Sequence, residues 1–214
     1  MVSFEELGLK MSVVKAIKEV GMENPFPIQE HCIPLILKGK DVIGQAHTGT
    51  GKTAAFSLPM VNRVKSRGPI QALVIVPTRE LAIQVTSEIR KFSKYVGVRS
   101  LAIYGGQSIN IQKEQLRRGV QIIVATPGRL IDHLKQGTIQ LEDVNSVVLD
   151  EADRMLDMGF IDDIKFILFY VNERRQTCLF SATMPIEILR LSREYMKDPE
   201  QIRLNEAEIS LETI

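Results

Sequence analysis

The chain has 214 residues, 44% of them hydrophobic and 25% charged, with a formal net charge of +1. That length holds one α/β domain with a substantial core, and the near-neutral charge means that any polyanion must be held by a local patch. No apolar run approaches the roughly 18 residues of a membrane span, and MVSFEELGLK lacks a signal-peptide layout; the isolated Cys32 and Cys178 argue against a disulfide framework and fit a reducing, cytoplasmic setting.

From the N-terminus, residues 1–40 read as a helical preface interrupted by NPFPIQ (24–29). Six short apolar runs follow: DVIGQA (41–46), QALVIVP (71–77), RSLAIYG (99–105), QIIVATP (121–127), SVVLDEA (146–152) and QTCLFSA (176–182). They are apolar on both faces and rich in Val and Ile, the composition of buried parallel strands. Helical patterns lie between them. In TRELAIQVTSEIRKF (78–92), Leu81, Val85, Ile89 and Phe92 fall on one face. Such alternation predicts an α/β domain, a mainly parallel sheet with helices on both faces. The tail NEAEISLETI (205–214) is polar and reads as the start of a linker.

Most of the chemically suggestive residues sit just after these strands. Open parallel sheets bind ligands outside the carboxyl ends of their strands, so these loops should share one edge. GQAHTGTGKT (44–53) follows a strand and opens a helix, the context that a phosphate-binding loop requires. Its pattern usually begins with glycine where this chain has Ala46. Gly49 and Gly51 let backbone N–H groups turn inward around phosphate oxygens. Lys52 would reach the terminal phosphates, Thr53 would offer a hydroxyl to Mg²⁺, and Thr48 and Thr50 complete the cradle. His47 either touches phosphate or is a solvated loop residue.

SVVLDEADRML (146–156) ends a buried strand in two adjacent carboxylates, Asp150 and Glu151, with Asp153 just beyond. Like charges this close repel, and burying an unpaired carboxylate is costly. A metal held for a bound phosphate resolves the conflict. Asp150 would contact Mg²⁺ through water, and Glu151 would act as general base on the attacking water. The bland alternative is that both acids merely cap the next helix.

With these residues in view, the chain resembles the DEAD-box family of ATP-dependent RNA helicases. Asp150-Glu151-Ala152-Asp153 spells the family's name, and RMLDMGF (154–160) follows in the family's manner. AHTGTGKT (46–53), PTREL (77–81), Gly105-Gly106, TPGR (126–129) and SAT (181–183) appear in the family's order over essentially the whole chain. GMENPFPIQ (21–29) resembles the family's adenine-reading element, in which Gln29 would read the adenine edge and the upstream Phe4 would pack on the base. The alternative for Phe4 alone is a terminal hydrophobic staple. Phe26 departs from the threonine more usual there.

The resemblance implies a RecA-like P-loop NTPase domain at 41–204, with residues 1–40 as an adenine-recognition segment packed on it. It also implies that 205–214 lead toward a second RecA-like domain of a longer chain. The strand before Ser181 should lie between the strands before Ala46 and Asp150. Thr78, Arg79, Gly106, Thr126, Gly128 and Arg129 would donate to RNA phosphates, which position RNA without reading its sequence. Arg79 and Arg129 could instead pair with helix acids. Ser181 and Thr183 would couple the ATP and RNA sites through Asp153. ATP and Mg²⁺ are the implied ligands, with the catalytic load on Lys52, Asp150 and Glu151. A DNA translocase and a non-catalytic RNA-binding module are the competing functions. The adenine element and the Asp-Glu-Ala-Asp spelling count against the first, and the intact Lys52, Asp150 and Glu151 against the second.

Overall fold

The computed structural model describes residues 2–47 and 49–204, so the expectations for Thr48 and for a linker at 205–214 lie outside the described residues. Two helices come first, α1 (Met11–Glu19) and α2 (Pro27–Leu37). Strands and helices then alternate: β1 (Val42–Gln45), α3 (Lys52–Arg63), β2 (Ala72–Ile75), α4 (Arg79–Phe92), β3 (Ser100–Ile103), α5 (Ile109–Arg117), β4 (Ile122–Ala125), α6 (Pro127–Lys135) and β5 (Ser146–Asp150). The remainder comprises α7 (Ala152–Asp157), α8 (Ile161–Phe169), β6 (Gln176–Ser181), α9 (Ile186–Tyr195) and β7 (Glu200–Arg203).

Among the described residues the sheet has seven strands in the order β3-β4-β2-β5-β6-β1-β7, and every pairing is parallel. β6 lies between β1 and β5, as expected; Cys178 is in register with Val42 on one side and Val148 on the other. Alternate strand residues serve opposite faces. Val74, Val148, Cys178 and Phe180 join a core built with α1 to α4, whereas Leu73, Val147, Leu149 and Leu179 join one built with α6 to α9. This double burial is why the strands read as unbroken apolar runs. α4 matches its predicted face: Val85, Ile89 and Phe92 are buried, Leu81 packs partly, and the Thr78 hydroxyl caps the helix by accepting from Leu81 N at 3.3 Å.

Phe4, Val13, Ile17, Ile28 and Ile33 are buried in the same core as Val42 and Phe180, so the segment carrying α1 and α2 packs directly onto the sheet. The backbone N–H of Lys10 donates to Asn62 Oδ1 of α3 at 2.6 Å, a polar stitch across the same junction. β7 was not anticipated. Its sequence EQIR offers only Ile202 to the core, and it pairs with β1 alone. Cys32 and Cys178 are buried and unpaired, and burial pushes the Cys32 thiol up to about 12. No helix among the described residues is long and apolar enough to cross a membrane.

One close approach fixes how β1 enters the phosphate-loop segment. A Cβ on Gly44 would lie 2.5 Å from Phe180 Cε1 and 2.6 Å from Cδ1, and Phe180 is itself pinned by Phe56 with ring centroids 5.3 Å apart. Gly44→Ala should therefore overpack this face and cost about 1–3 kcal/mol. In thermal unfolding, a domain of this size loses roughly 2–4 °C of Tm per kcal/mol. The loss should shrink when Phe180→Leu accompanies it; an undiminished Tm in the single variant would contradict the contact.

Candidate active site

The carboxyl ends of β1, β6 and β5 are neighbours, and the predicted phosphate loop leaves the first of them. Ala46 N donates to Ser181 O at 3.1 Å, fastening the loop to the end of β6. The chain then turns into α3 through Gly51, whose φ of +83° favours glycine. A Cβ there would also collide with the Gln29 amide and lie 2.9 Å from Phe26 Cδ2. Lys52 Nζ donates to the carbonyls of Ala46 (2.5 Å) and His47 (2.7 Å), and Thr50 Oγ1 donates to His47 O at 2.8 Å. The loop is thus wrapped around its own lysine, with Gly49 and the His47 ring exposed at its rim. Gln29 is fully buried; its Oε1 accepts from Phe26 N (3.0 Å) and its Nε2 donates to Gly51 O (3.1 Å). Among the described residues, one amide hydrogen and one lone pair of Gln29 are left over.

Asp150 closes β5 at 3% exposure, with Oδ1 accepting from Glu151 N at 3.0 Å. Burial raises its pKa to about 7; Lys52 opposes the shift and Glu151 adds to it. Burial likewise lowers the Lys52 pKa, against the pull of Asp150, Glu151 and Asp153. Glu151 holds a left-handed backbone (φ 52°, ψ 50°), a conformation that costs a non-glycine residue of order 1 kcal/mol. Its carboxylate pairs with Arg154 Nη1 at 3.2 Å. Asp153 Oδ2 accepts from Thr183 N (2.8 Å) and Thr183 Oγ1 (2.9 Å), while Asp153 N donates to Ser181 Oγ (3.1 Å). Burial works against the Asp153 carboxylate, but these donors prevail and hold its pKa below the usual range.

Gln29, Gly49, Gly51, Lys52, Thr53, Asp150 and Glu151 line one cavity of about 570 Å³. Val20, Met22, Phe26 and Phe92 give it an apolar side, and Gln84, Glu88 and Lys91 of α4 add polar groups that sequence reasoning missed. Their helical spacing gave no reason to separate them from a solvated face. A larger hollow of about 920 Å³ opens on the amino edge of the sheet; Arg175 Nε lies there buried without a hydrogen bond among the described residues, while its buried Asp41 and Gln176 are engaged within the fold. Asp41 accepts from Thr177 N and Lys197 N, and Gln176 from Arg63.

Phe4 requires a correction. Its ring is 2% exposed within the core and lines a separate hollow with Val14, Ile17 and Met22, not the cavity of Gln29 and Lys52. The aromatic beside the cavity is Phe26, 43% exposed, which sequence reading had marked only as a departure from pattern.

The other predicted loops emerge side by side from β2, β4 and β3. Thr78 and Thr126 are the N-caps of α4 and α6, so both helices open at this edge. Arg79 is exposed and lies over the Tyr104 ring at 5.0 Å, with Gly106 close against its Nη1. Gly128 is exposed in the first turn of α6. Arg129 is more tied down. Its Nη1 donates to Gln107 O (2.7 Å) and Gln112 Oε1 (3.2 Å), and its Nε lies 3.5 Å from Asp132 without forming a hydrogen bond. The helix-acid alternative thus applies to Arg129 as a loose ion pair, and no such pair holds Arg79 among the described residues.

The chain is similar to known proteins over most of its length. Residues 26–191 match the family model for DEAD/DEAH box helicases. A DEAD-box ATP-dependent RNA helicase, CshA, of Geobacillus kaustophilus is 53% identical over the whole of this chain, which spans 46% of that protein. The ATP-dependent RNA helicase DeaD of Escherichia coli is 51% identical over 94% of this chain and 32% of its own length. The chain thus spans half or less of these relatives. The crystal structure of a DEAD box protein from the hyperthermophile Methanococcus jannaschii superposes with a TM-score of 0.93 at 43% identity, covering 96% of this chain and 56% of that one. The fold is that of a RecA-like helicase domain, and the chain belongs to the DEAD/DEAH box helicase family.

Proposed function

We propose that this chain is the ATP-binding domain of an RNA-dependent ATPase that locally opens or remodels RNA duplexes. The observation that carries the reading is the single cavity where Lys52, Thr53, Asp150 and Glu151 meet Gln29 at the carboxyl edge of the sheet. Phosphates entering it would take the Lys52 ammonium from the carbonyls of Ala46 and His47, and the amides around Gly49 to Thr53 would complete the cradle. The spare hydrogen and lone pair of Gln29 suit the adenine edge, with Phe26 and Met22 as the apolar wall beside it. Glu151 is the group placed to take a proton from water, and Arg154 holds its carboxylate until then.

Mg²⁺ fits this donor set. Asp150 and the Thr53 hydroxyl line the same cavity, and no group of three or more His, Cys, Asp or Glu residues is arranged around a metal among the described residues. Such sparse ligation suits an ion that keeps several waters and takes its other ligands from phosphate. When bound, the ion neutralises phosphate charge, and it would hold the raised carboxyl of Asp150 ionised.

The tracks after β2, β4 and β3 supply exposed Arg79, half-buried Arg129 and the helix openings at Thr78, Thr126 and Gly128. Gly106 adds a turn into which an RNA backbone can approach. All are suited to phosphate, and none is aimed at a base edge, so little sequence preference is expected. Asp153, joined to Thr183 and Ser181, is the group that could pass a change between the two halves of the edge. The buried free cysteines support a reducing, cytoplasmic setting.

Three measurements test this reading. ATP and ADP should bind at least about tenfold tighter than GTP and GDP, because a mismatched base leaves polar groups of the pocket unpaired. Gln29→Ala should erode that preference and also lower affinity, since it releases Gly51; equal binding of ATP and GTP by the unaltered chain would remove the adenine assignment. In a protein joining this chain to a second RecA-like domain, Lys52→Ala should weaken nucleotide binding. Glu151→Gln should keep binding within a few-fold and slow turnover by about 10²-fold or more, the usual worth of a general base. Unchanged turnover would refute the role of Glu151.

The third concerns the chain alone. No arginine lines the cavity among the described residues, and a supplied arginine is typically worth about 10³ to 10⁵ in phosphoryl-transfer rate. Residues 1–214 by themselves should therefore bind ATP, hydrolyse it very slowly and leave duplex RNA closed, and addition of the second domain should restore RNA-stimulated turnover. Robust unwinding by the isolated chain would overturn the divided site.

A further inference from the structure

α5 is held to the domain in an unusual way. Its one fully buried residue among those described is polar: Gln112, at 0% exposure, while Ile111 points outward at 48%. A helix anchored for burial alone would use an apolar side chain there. Gln112 instead satisfies all four of its hydrogen-bonding positions inside the protein. Nε2 donates to Tyr104 O (2.9 Å) and Gln107 Oε1 (3.1 Å), and Oε1 accepts from Arg129 Nη1 (3.2 Å) and His133 Nε2 (3.0 Å). A complete network of this kind dictates relative orientation, where apolar contact would tolerate sliding.

His133, also at 0% exposure, sets the polarity of the network. Gln112 Oε1 can only accept from it, so Nε2 carries the hydrogen and Nδ1 faces the Thr138 hydroxyl at 2.7 Å. Burial, reinforced by the charge of Arg129, lowers the His133 pKa to about 4 and keeps the ring neutral. The groups that converge on Gln112 come from the Gly105-Gly106 loop on one side and from α6 on the other. Tyr104 extends the connection, because its ring supports the guanidinium of Arg79. Exposed Arg79 and the more buried Arg129 are thereby both referred to one buried amide.

We propose that Gln112 and His133 are positioning residues that lock Arg129 and the Gly105-Gly106 loop into one rigid phosphate-binding surface for single-stranded RNA. The proposal rests on the RNA reading given above. Neither residue need touch RNA; they hold Arg129 with one face committed inward and Nη2 left without a hydrogen bond to the described residues.

The test uses the 214-residue chain and a fluorescein-labelled single-stranded RNA homopolymer, titrated at several low salt concentrations. Gln112→Leu keeps burial but removes all four bonds. It should weaken RNA binding about tenfold and reduce the slope of log affinity against log salt by about 0.7, the signature of one lost phosphate contact on a single strand. Nucleotide affinity should stay within about twofold, a split that a general loss of stability would not give. Most of the effect should vanish in an Arg129→Ala background, because residues acting through one another are not additive. Gln107→Ala, on a surface loop, removes one of the four bonds without threatening the fold and should act in the same direction at about threefold. Unchanged RNA affinity in Gln107→Ala and in folded Gln112→Leu, or a full additive loss on top of Arg129→Ala, would overturn the proposal while leaving the RNA reading intact. If Arg129→Ala itself leaves RNA affinity and salt slope unchanged, the reading of Arg129 as a phosphate ligand falls, and the positioning role falls with it.

Discussion

Parallel strands deliver every chain end to the same edge, and here the ladder that seats β6 between β1 and β5 decides which ends become neighbours. Strands in a sheet are about 4.8 Å apart, so three adjacent ends fall within the reach of one nucleotide. Ser181 shows the result on the scale of one residue. Its carbonyl takes the Ala46 N–H of the phosphate loop, and its hydroxyl takes the Asp153 N–H of the acidic turn. Pairing of β5 with β2 then joins this half of the edge to the half formed by β2, β4 and β3. A different strand order would scatter the same motifs.

Within that frame, four charges are packed together, and each is managed by different means. Lys52 lies against two carbonyls, Glu151 has an exposed arginine, and Asp153 accepts twice from Thr183 while its own N–H donates to the Ser181 hydroxyl. Among the described residues Asp150 has one backbone donor and is the most deeply buried of the four, and that burial raises its proton affinity. The arrangement is self-consistent without ligand, yet every partner is of a kind that phosphate or water can replace.

Much of this was legible in the sequence because the chemistry admits few alternatives. A glycine-rich turn with Lys52 and Thr53, and a strand ending in Asp150 and Glu151, have narrow physical uses, and buried parallel strands announce themselves by being apolar on both faces. What was misread depended on information that spacing does not carry. Phe4 and Phe26 are both aromatics near Gln29 in the resemblance, but only tertiary packing says which ring is swallowed by the core. Gln112 and His133 sit in helices of ordinary composition, and their partners lie up to 21 positions away in the sequence. β7 was missed because EQIR lacks the apolar character by which the inner strands were recognised.

That polarity has its own value. Among the described residues β7 is the outermost strand beside β1, and one row of its backbone N–H and C=O groups has no described strand to pair with. An apolar outer strand would invite another chain to extend the sheet. Glu200 and Arg203 place charge along this border, and its four-residue length offers little template. The domain can therefore leave a sheet margin open in a crowded solution without seeding intermolecular β-assembly.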